Sequence, residues 1–304
     1  MAGTEADTFR PVGPGEPALC ILESRKNEEG RMRYGFLGTK GSGTTGVTSV
    51  KAALVGGLVL WMIAGISLAA SGQRRVLVYT RNYTSNGKGY VHENIQSSVD
   101  AIKKMGVEKG FAVDVSDDPA AFSDANLKQY AALVFSNSNN EAFSSDAQRN
   151  AFKAYIESGG GFVGIHSASG SERDWPYFWS VLGGKFAVHP KMQSFTIQVT
   201  DPHFPAVAGL PAQFEWTDEC YFIDHLNPDI HPVLVTDRTK LTSLELIKND
   251  LSTFPNPLPL AWYHEFDGGR EFYLALGHNK EDYANPILYK IIENGILWAM
   301  RPGR

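Results

Sequence analysis

Cysteine is scarce in this sequence: two residues, Cys20 and Cys220, in a chain of 304. They stand on opposite sides of a long apolar run, so no intrachain disulfide framework is implied. Two cysteines also cannot build a multi-cysteine zinc site. A basic surplus is missing as well. Lys and Arg number 28 against 33 Asp and Glu, for a net charge of −5, which excludes the electrostatic footprint of a nucleic-acid binder. There is no internal repeat, and no linker is long enough to separate a pair of folded domains. Wholesale disorder is excluded too, since hydrophobic residues make up 43% and aromatics 12%, ample for a packed core.

One uncharged apolar run is long, spanning residues 52–70. At about 19 residues it falls between a signal-peptide core and a full membrane span of roughly 20. The stretch before it, residues 1–51, begins with Pro, Gly and charge without periodicity and is expected to be disordered. From Met32 it reads as a leader, with Arg33, Lys40 and Lys51 and no acidic residue. Ser67 and Ala69 supply the small residues that a signal peptidase requires. Two versions stay open: a cleaved signal peptide, or an uncleaved helix that anchors the chain to the membrane. Gly56, Gly57 and Gly65 suit lipid better than a soluble helix, and the denser Lys and Arg ahead of the run place the C-terminal domain outside. An extracytoplasmic protein, secreted or anchored, is expected.

From Arg74 the pattern alternates. Val76–Tyr79, Phe111–Val115, Ala132–Phe135 and Phe162–Ile165 are short apolar runs of the kind buried in parallel sheets. Between them lie helical spacings: Ile95, Val99, Ile102 and Met105, then Phe152, Tyr155 and Ile156 behind a Ser144-Ser145-Asp146 cap. After Phe186 the character shifts toward β, with runs at 196–199, 232–236 and 271–276. A last helix runs from about Pro286 through Trp298. The expected fold is α/β: a single domain over residues 74–301 with a doubly wound, mostly parallel, flavodoxin-like sheet.

Ligands of such a sheet bind at the carboxyl ends of its strands. His92, Asn137, Asn139, His166 and His278 fall at or near those ends. His189 precedes Pro190, which restricts it to extended geometry suited to a fixed site residue or a plain turn. Asp218 and Glu219 are adjacent carboxylates among Trp216, Tyr221 and Phe222. If they lie in a strand, only one can enter a pocket, and aromatic surroundings suit a general acid or base. Trp175, Trp179, Trp216 and Trp262 read first as core, though one or two at a pocket rim, Trp262 foremost, would offer a flat face for a sugar ring. Arg270 sits in a hairpin turn, where a surface salt bridge is the plainer role. His225 and His231 flank Asn227-Pro228 and read as solvent-facing. His166, His189 and His278 are an alternative imidazole set for zinc or another divalent ion. No H-x-x-x-H spacing supports it, so no metal ligand is assigned and the cofactor is unknown.

Gly164-Ile165-His166-Ser167-Ala168 has the form of a nucleophile elbow without the nucleophile, since His166 follows Gly-Ile and Ala168 replaces the second glycine. Together with Asp174-Trp175-Pro176, His189-Pro190, Thr217-Asp218-Glu219-Cys220-Tyr221, Ala261-Trp262-Tyr263-His264-Glu265, Gly268-Gly269-Arg270 and Leu276-Gly277-His278, it resembles the ThuA-like, trehalose-utilisation domain. The motifs occur in that family's order over about residues 75–300. The resemblance implies a class I glutamine amidotransferase-like fold whose catalytic cysteine is missing, so that Cys220 is no substitute nucleophile. It implies use of trehalose, related disaccharides or their keto derivatives. Gly89-Tyr90-Val91-His92 departs from the family's usual Phe-Arg-His.

The expected activity is acid–base chemistry, hydrolytic or isomerising, on a small-molecule carbohydrate. His166, Asp218, Glu219 and His278 are the catalytic candidates, and His92, His189, Trp262 and Arg270 the substrate-binding ones. A non-catalytic sugar-binding module at the cell surface is the alternative.

Overall fold

The computed structural model describes residues 73–87 and 89–300, together with the backbone of two short strands nearer the N-terminus. The chain divides into two units, Met1–Gly65 and Ile66–Arg304. Within the first, β1 (Ser24–Lys26) pairs antiparallel with β2 (Met32–Tyr34). The apolar run at residues 52–70 lies outside the described residues. Among the described residues no helix is long and apolar enough to cross a membrane.

The second unit is built in chain order from β3 (Arg75–Tyr79), α1 (Ile95–Lys109), β4 (Ala112–Ser116), α2 (Asp124–Leu127), β5 (Ala132–Ser136), α3 (Asp146–Glu157), β6 (Gly161–Ile165) and α4 (Pro176–Leu182). There follow β7 (Lys185–Val188), β8 (Gln193–Val199), β9 (Gln213–Asp218), β10 (Phe222–Asp224), β11 (His231–Thr236), β12 (Leu258–Phe266), β13 (Gly269–Leu274) and α5 (Pro286–Ala299). One nine-stranded sheet runs β4-β3-β5-β6-β13-β12-β11-β8-β9. The strands from β4 to β13 are parallel, and β12, β11, β8 and β9 extend the sheet antiparallel. That extension is the shift toward β after Phe186. Strands β7 and β10 form a separate two-stranded ribbon.

Alternate residues of β3 enter different cores: Val76 and Val78 pack with α1 and α5, whereas Leu77 and Tyr79 join the aromatic side. Both faces are covered, and for that reason the inner parallel strands read as apolar runs, whereas the edge strand β4 carries Asp114. The second face is rich in rings, with Phe152 of α3 and Phe178 of α4 packed on Phe135 and Phe162 of the sheet. Helix α3 starts at Ser145, whose hydroxyl accepts the Gln148 N–H at 3.4 Å. Helix α5 starts at Asn285-Pro286, where the Asn285 side chain accepts the Ile287 N–H at 2.9 Å. Gly161 opens β6 where a Cβ would collide with the Ala299 carbonyl of α5, so only glycine lets helix and strand approach this closely.

Candidate functional site

Four chain segments converge at the carboxyl ends of the parallel strands. His92 lies in the loop after β3, just ahead of α1. His166 directly follows β6, Glu219 directly follows β9, and His278 sits four residues beyond β13. Asn94 fastens two of these segments to each other and to the turn after β5: its amide donates to the carbonyls of Gly277 (2.6 Å) and His278 (3.0 Å) and to Asn137 Oδ1 (3.0 Å). Its Oδ1 makes no side-chain cap for α1 and is buried without a hydrogen-bond partner.

His166 is fully buried and has φ of +50°, a left-handed backbone that costs a non-glycine residue energy. Its carbonyl accepts the Tyr273 hydroxyl at 2.8 Å, and its ring Nδ1 contacts the Ala275 carbonyl at 2.8 Å. A carbonyl can only accept, so Nδ1 carries the hydrogen and Nε2 of the neutral ring presents a lone pair. That nitrogen receives the Tyr221 hydroxyl at 2.9 Å, and the two rings stack at 4.4 Å. Burial lowers His166 to about 4. Burial, then the neighbouring His166 and His278, lower His92 to about 3. Both rings are therefore neutral near pH 7.

Glu219 is the hinge of the cluster. Its Oε2 lies 3.1 Å from His278 Nδ1 and 3.7 Å from His166 Nε2, while Oε1 lies 3.6 Å from His189 Nε2. Burial works to raise this carboxyl, but the His278 hydrogen bond and the surrounding imidazoles outweigh it and hold the group below its ordinary value. Reciprocally, the Glu219 bond raises His278 against the effect of burial.

Of the adjacent carboxylates only Glu219, just past the end of β9, reaches the cavity. Asp218 is buried behind it. Its Oδ2 accepts the Gly277 N–H (2.8 Å) and the Trp216 indole N–H (3.1 Å), and its Oδ1 accepts the Glu219 N–H (2.8 Å). Burial pushes it up to about 6. Asp218 therefore holds the turn that carries His278 and does not face the cavity.

A cavity of about 300 Å³ opens beside the cluster, lined among others by His92, Asn139, Arg173, His189, Glu219 and Tyr221. Arg173 donates to the Gly170 carbonyl (3.0 Å) and Asn139 Oδ1 (3.2 Å). It also lines an adjoining polar cavity of about 650 Å³ with Asn140, Asp174 and Trp175. A 490 Å³ cavity beside Tyr130, Tyr155, Gly160 and Met300 lies at the opposite end of the sheet. Ser167 also lines the smaller cavity, yet its hydroxyl has no hydrogen-bond partner, so no base activates it. Cys220 is buried, and burial pushes its thiol far up.

Two sequence candidates do not belong to the site. Trp262 is fully buried in the aromatic core, with its indole N–H donated to the Leu182 carbonyl at 2.9 Å. Arg270 is the second residue of β13 and pairs with Gly161 at the start of β6, the end of the sheet opposite His166; its Nε lies 3.4 Å from Glu265. Sequence reasoning missed Arg173. It left Tyr221 as mere surroundings, although its place two residues beyond Glu219 was a usable signal.

The arrangement is matched by the profile of a family described as trehalose utilisation, ThuA, over residues 75–299. The chain belongs to the ThuA family. A ThuA-like protein from Bacteroides uniformis superposes with a TM-score of 0.57 at 24% identity, covering 74% of this chain and 91% of that one. A ThuA-like protein from Parabacteroides merdae gives 0.55 at 19% identity over 75% and 90%. A cytoplasmic protein from Salmonella typhimurium gives 0.52 at 13% over 76% and 100%. These likenesses carry the fold. No curated protein matches the chain. ThuA membership gives the chain a carbohydrate-related role in broad terms.

Proposed function

We propose that this ThuA-family chain acts outside the cytoplasm on a keto-sugar derived from a disaccharide, by proton transfer in the 300 Å³ cavity. The observation that carries the proposal is the position of Glu219, with one oxygen facing His189 across the cavity and the other facing His166 and His278. The export half of the reading rests on the sequence of residues 32–70.

The donor set favours a keto-sugar over hydrolysis of an ordinary glycoside. Glycosidases of the common type place two carboxylates astride the scissile bond. Among the described residues that line this cavity, Glu219 is the carboxylate, and Asp218 is engaged behind it. One carboxylate beside an imidazole suits removal of a proton from the carbon next to a carbonyl. The proton passes to Glu219 Oε1 or His189 Nε2, and the C–H electron pair moves onto the carbonyl oxygen as an enolate. The hydroxyl on the deprotonated carbon then gives its proton to the enolate oxygen and becomes the new carbonyl, and return of the first proton to the former carbonyl carbon completes an isomerisation. Arg173 has used two of its five N–H donors, and the remainder are available to the enolate oxygen.

The cavity volume is at the small end of ligand sites, roughly 300–1,000 Å³, and suits one ring. The adjoining cavity, with Trp175 and the buried, unpaired Asn140 Nδ2, would take the second ring of a disaccharide.

The test is incubation of the purified chain with trehalose, other disaccharides and their 3-keto forms in D2O, read by NMR. Deuterium entering next to the carbonyl, and its loss by roughly 100-fold or more in His189→Ala, supports the reading. Unchanged turnover in His166→Ala and His278→Ala, or saturable binding without exchange or product, overturns it.

A further inference from the structure

We infer that His92, His166, His278 and Glu219 form a binding site for a first-row divalent transition-metal ion, zinc foremost. The inference deepens the carbohydrate reading, since it names a cofactor for the same cavity and rests on that reading only for the cofactor's use.

One ring nitrogen of each histidine and one Glu219 oxygen all lie within 4.8 Å of one another. The three separations among His166, His278 and Glu219 are those of ligands around an ion, and His92 completes the group from the side. His278 Nδ1 is 3.1 Å from Glu219 Oε2 and 3.3 Å from His166 Nε2, and that nitrogen is 3.7 Å from the same oxygen. Ligands held tetrahedrally at zinc distances of about 2.0–2.1 Å stand about 3.4 Å apart. The observed values bracket that figure without any movement of the backbone.

A hydrogen-bonded histidine cluster accounts for less. Such a cluster explains the His278–Glu219 contact, but it gives His92 nothing to do. His92 is 5% exposed, and its Nδ1 is buried without a hydrogen-bond partner, a costly arrangement for an imidazole that no ligand engages. Its ring stands edge-on to those of His166 and His278, with centroids at 4.8 and 5.3 Å.

The surroundings supply what metal-binding imidazoles need. A ligating histidine is fixed by donating its second N–H to a carbonyl or carboxylate, and His166 does so to Ala275. Three imidazoles and one carboxylate suit zinc, manganese, iron, cobalt or nickel rather than magnesium or calcium, which prefer oxygen alone. Glu219 divides its labour: Oε2 faces the histidine cluster and Oε1 faces His189. An ion held on the first side leaves the second free for proton transfer, and as a Lewis acid beside the cavity it would polarise a keto-sugar carbonyl.

The test uses the full chain, stripped with chelator and titrated with Zn²⁺ alone by calorimetry and elemental analysis, and with Co²⁺ as an absorbance probe. One ion per chain is expected, with intense cobalt d–d bands. His92→Ala and Glu219→Gln should each weaken binding at least about tenfold, circular dichroism confirming their fold. His225→Ala, removing an exposed histidine 3.1 Å from Asp224, should change nothing. No saturable uptake of either ion, or uptake unaltered by the first two substitutions, overturns the site. Because the readout contains no sugar, metal bound without turnover sinks the carbohydrate reading alone. Full turnover by a chain that binds no metal sinks this one alone.

Discussion

Asp218 Oδ2 accepts the backbone N–H of Gly277 at 2.8 Å, so the last residue of β9 sets the turn that presents His278. The two oxygens of Asp218 take three donors in all, which an amide cannot do with one oxygen. Asp218→Asn should therefore leave a buried donor unmatched at a cost of about 1–3 kcal/mol. For a domain of this size that lowers Tm by roughly 2–12 °C, measurable by calorimetry. An unchanged Tm would refute the positioning role.

Glu271 gives the protein a pH dependence remote from the cavity. It lies opposite His264 in the β12–β13 ladder, its buried carboxylate 4.0 Å from His264 Nε2 and without a side-chain hydrogen bond. Burial first, then repulsion from Glu265 and Asp267, raises it from 4.5 to about 9. A raised carboxyl means that the folded chain keeps a proton the unfolded chain has released. Stability is full below about pH 4.5 and declines as pH rises toward about 9, by up to about 1.4 kcal/mol per unit. Glu271→Gln is neutral at every pH and should flatten that decline in a series of thermal melts. A slope identical to wild type would contradict the assignment.

Tyr221 competes for the nitrogen that the inferred ion would use. Its hydroxyl bonds His166 Nε2 at 2.9 Å, and Tyr221→Phe removes that bond while leaving the ring stack. With a hydrogen bond worth about 0.5–1.5 kcal/mol, zinc affinity should rise by up to about tenfold. Weaker binding by calorimetry would mean that Nε2 is not the ligand.

Trp262→Phe separates core from site. It leaves the Leu182 carbonyl without its donor and shrinks a ring packed 4.5 Å from Tyr273, which should cost about 1–3 kcal/mol. KM for the sugar should stay at the wild-type value. A raised KM would return Trp262 to the sugar-binding residues.

The parallel half of the sheet was legible because strands covered on both faces are largely apolar, as at Ala132–Phe135. Strand β12 was not, because Pro259 interrupts it; the structure places that proline where the ladder to β11 shifts register, one of the few strand positions that tolerate proline. At the site, strand ends located His92, His166 and His278, whereas Glu219 enters from the turn just past β9, where the alternation expected of two carboxylates in one strand does not apply. Trp262 misled because a motif does not say which sheet face a side chain takes. Arg270 misled because it opens a strand instead of ending one. The four donors come from four separate turns, so no ligand spacing exists in the sequence to be found. Arg173 lies in an aperiodic turn and becomes recognisable only when its guanidinium folds back onto Gly170.

The bond from Asn94 to the Gly277 carbonyl joins residues 183 positions apart. Contacts this distant form slowly, since nearly the whole intervening chain must be ordered before they repay the entropy of closing the loop. The histidine cluster is consequently a late product of folding, with no local precursor. A chain cut short before β13 could assemble much of the parallel sheet and still own no site. Acquisition of the complete donor set thus reports that every layer has docked, and loss of it would be an early sign of damage anywhere between β3 and β13.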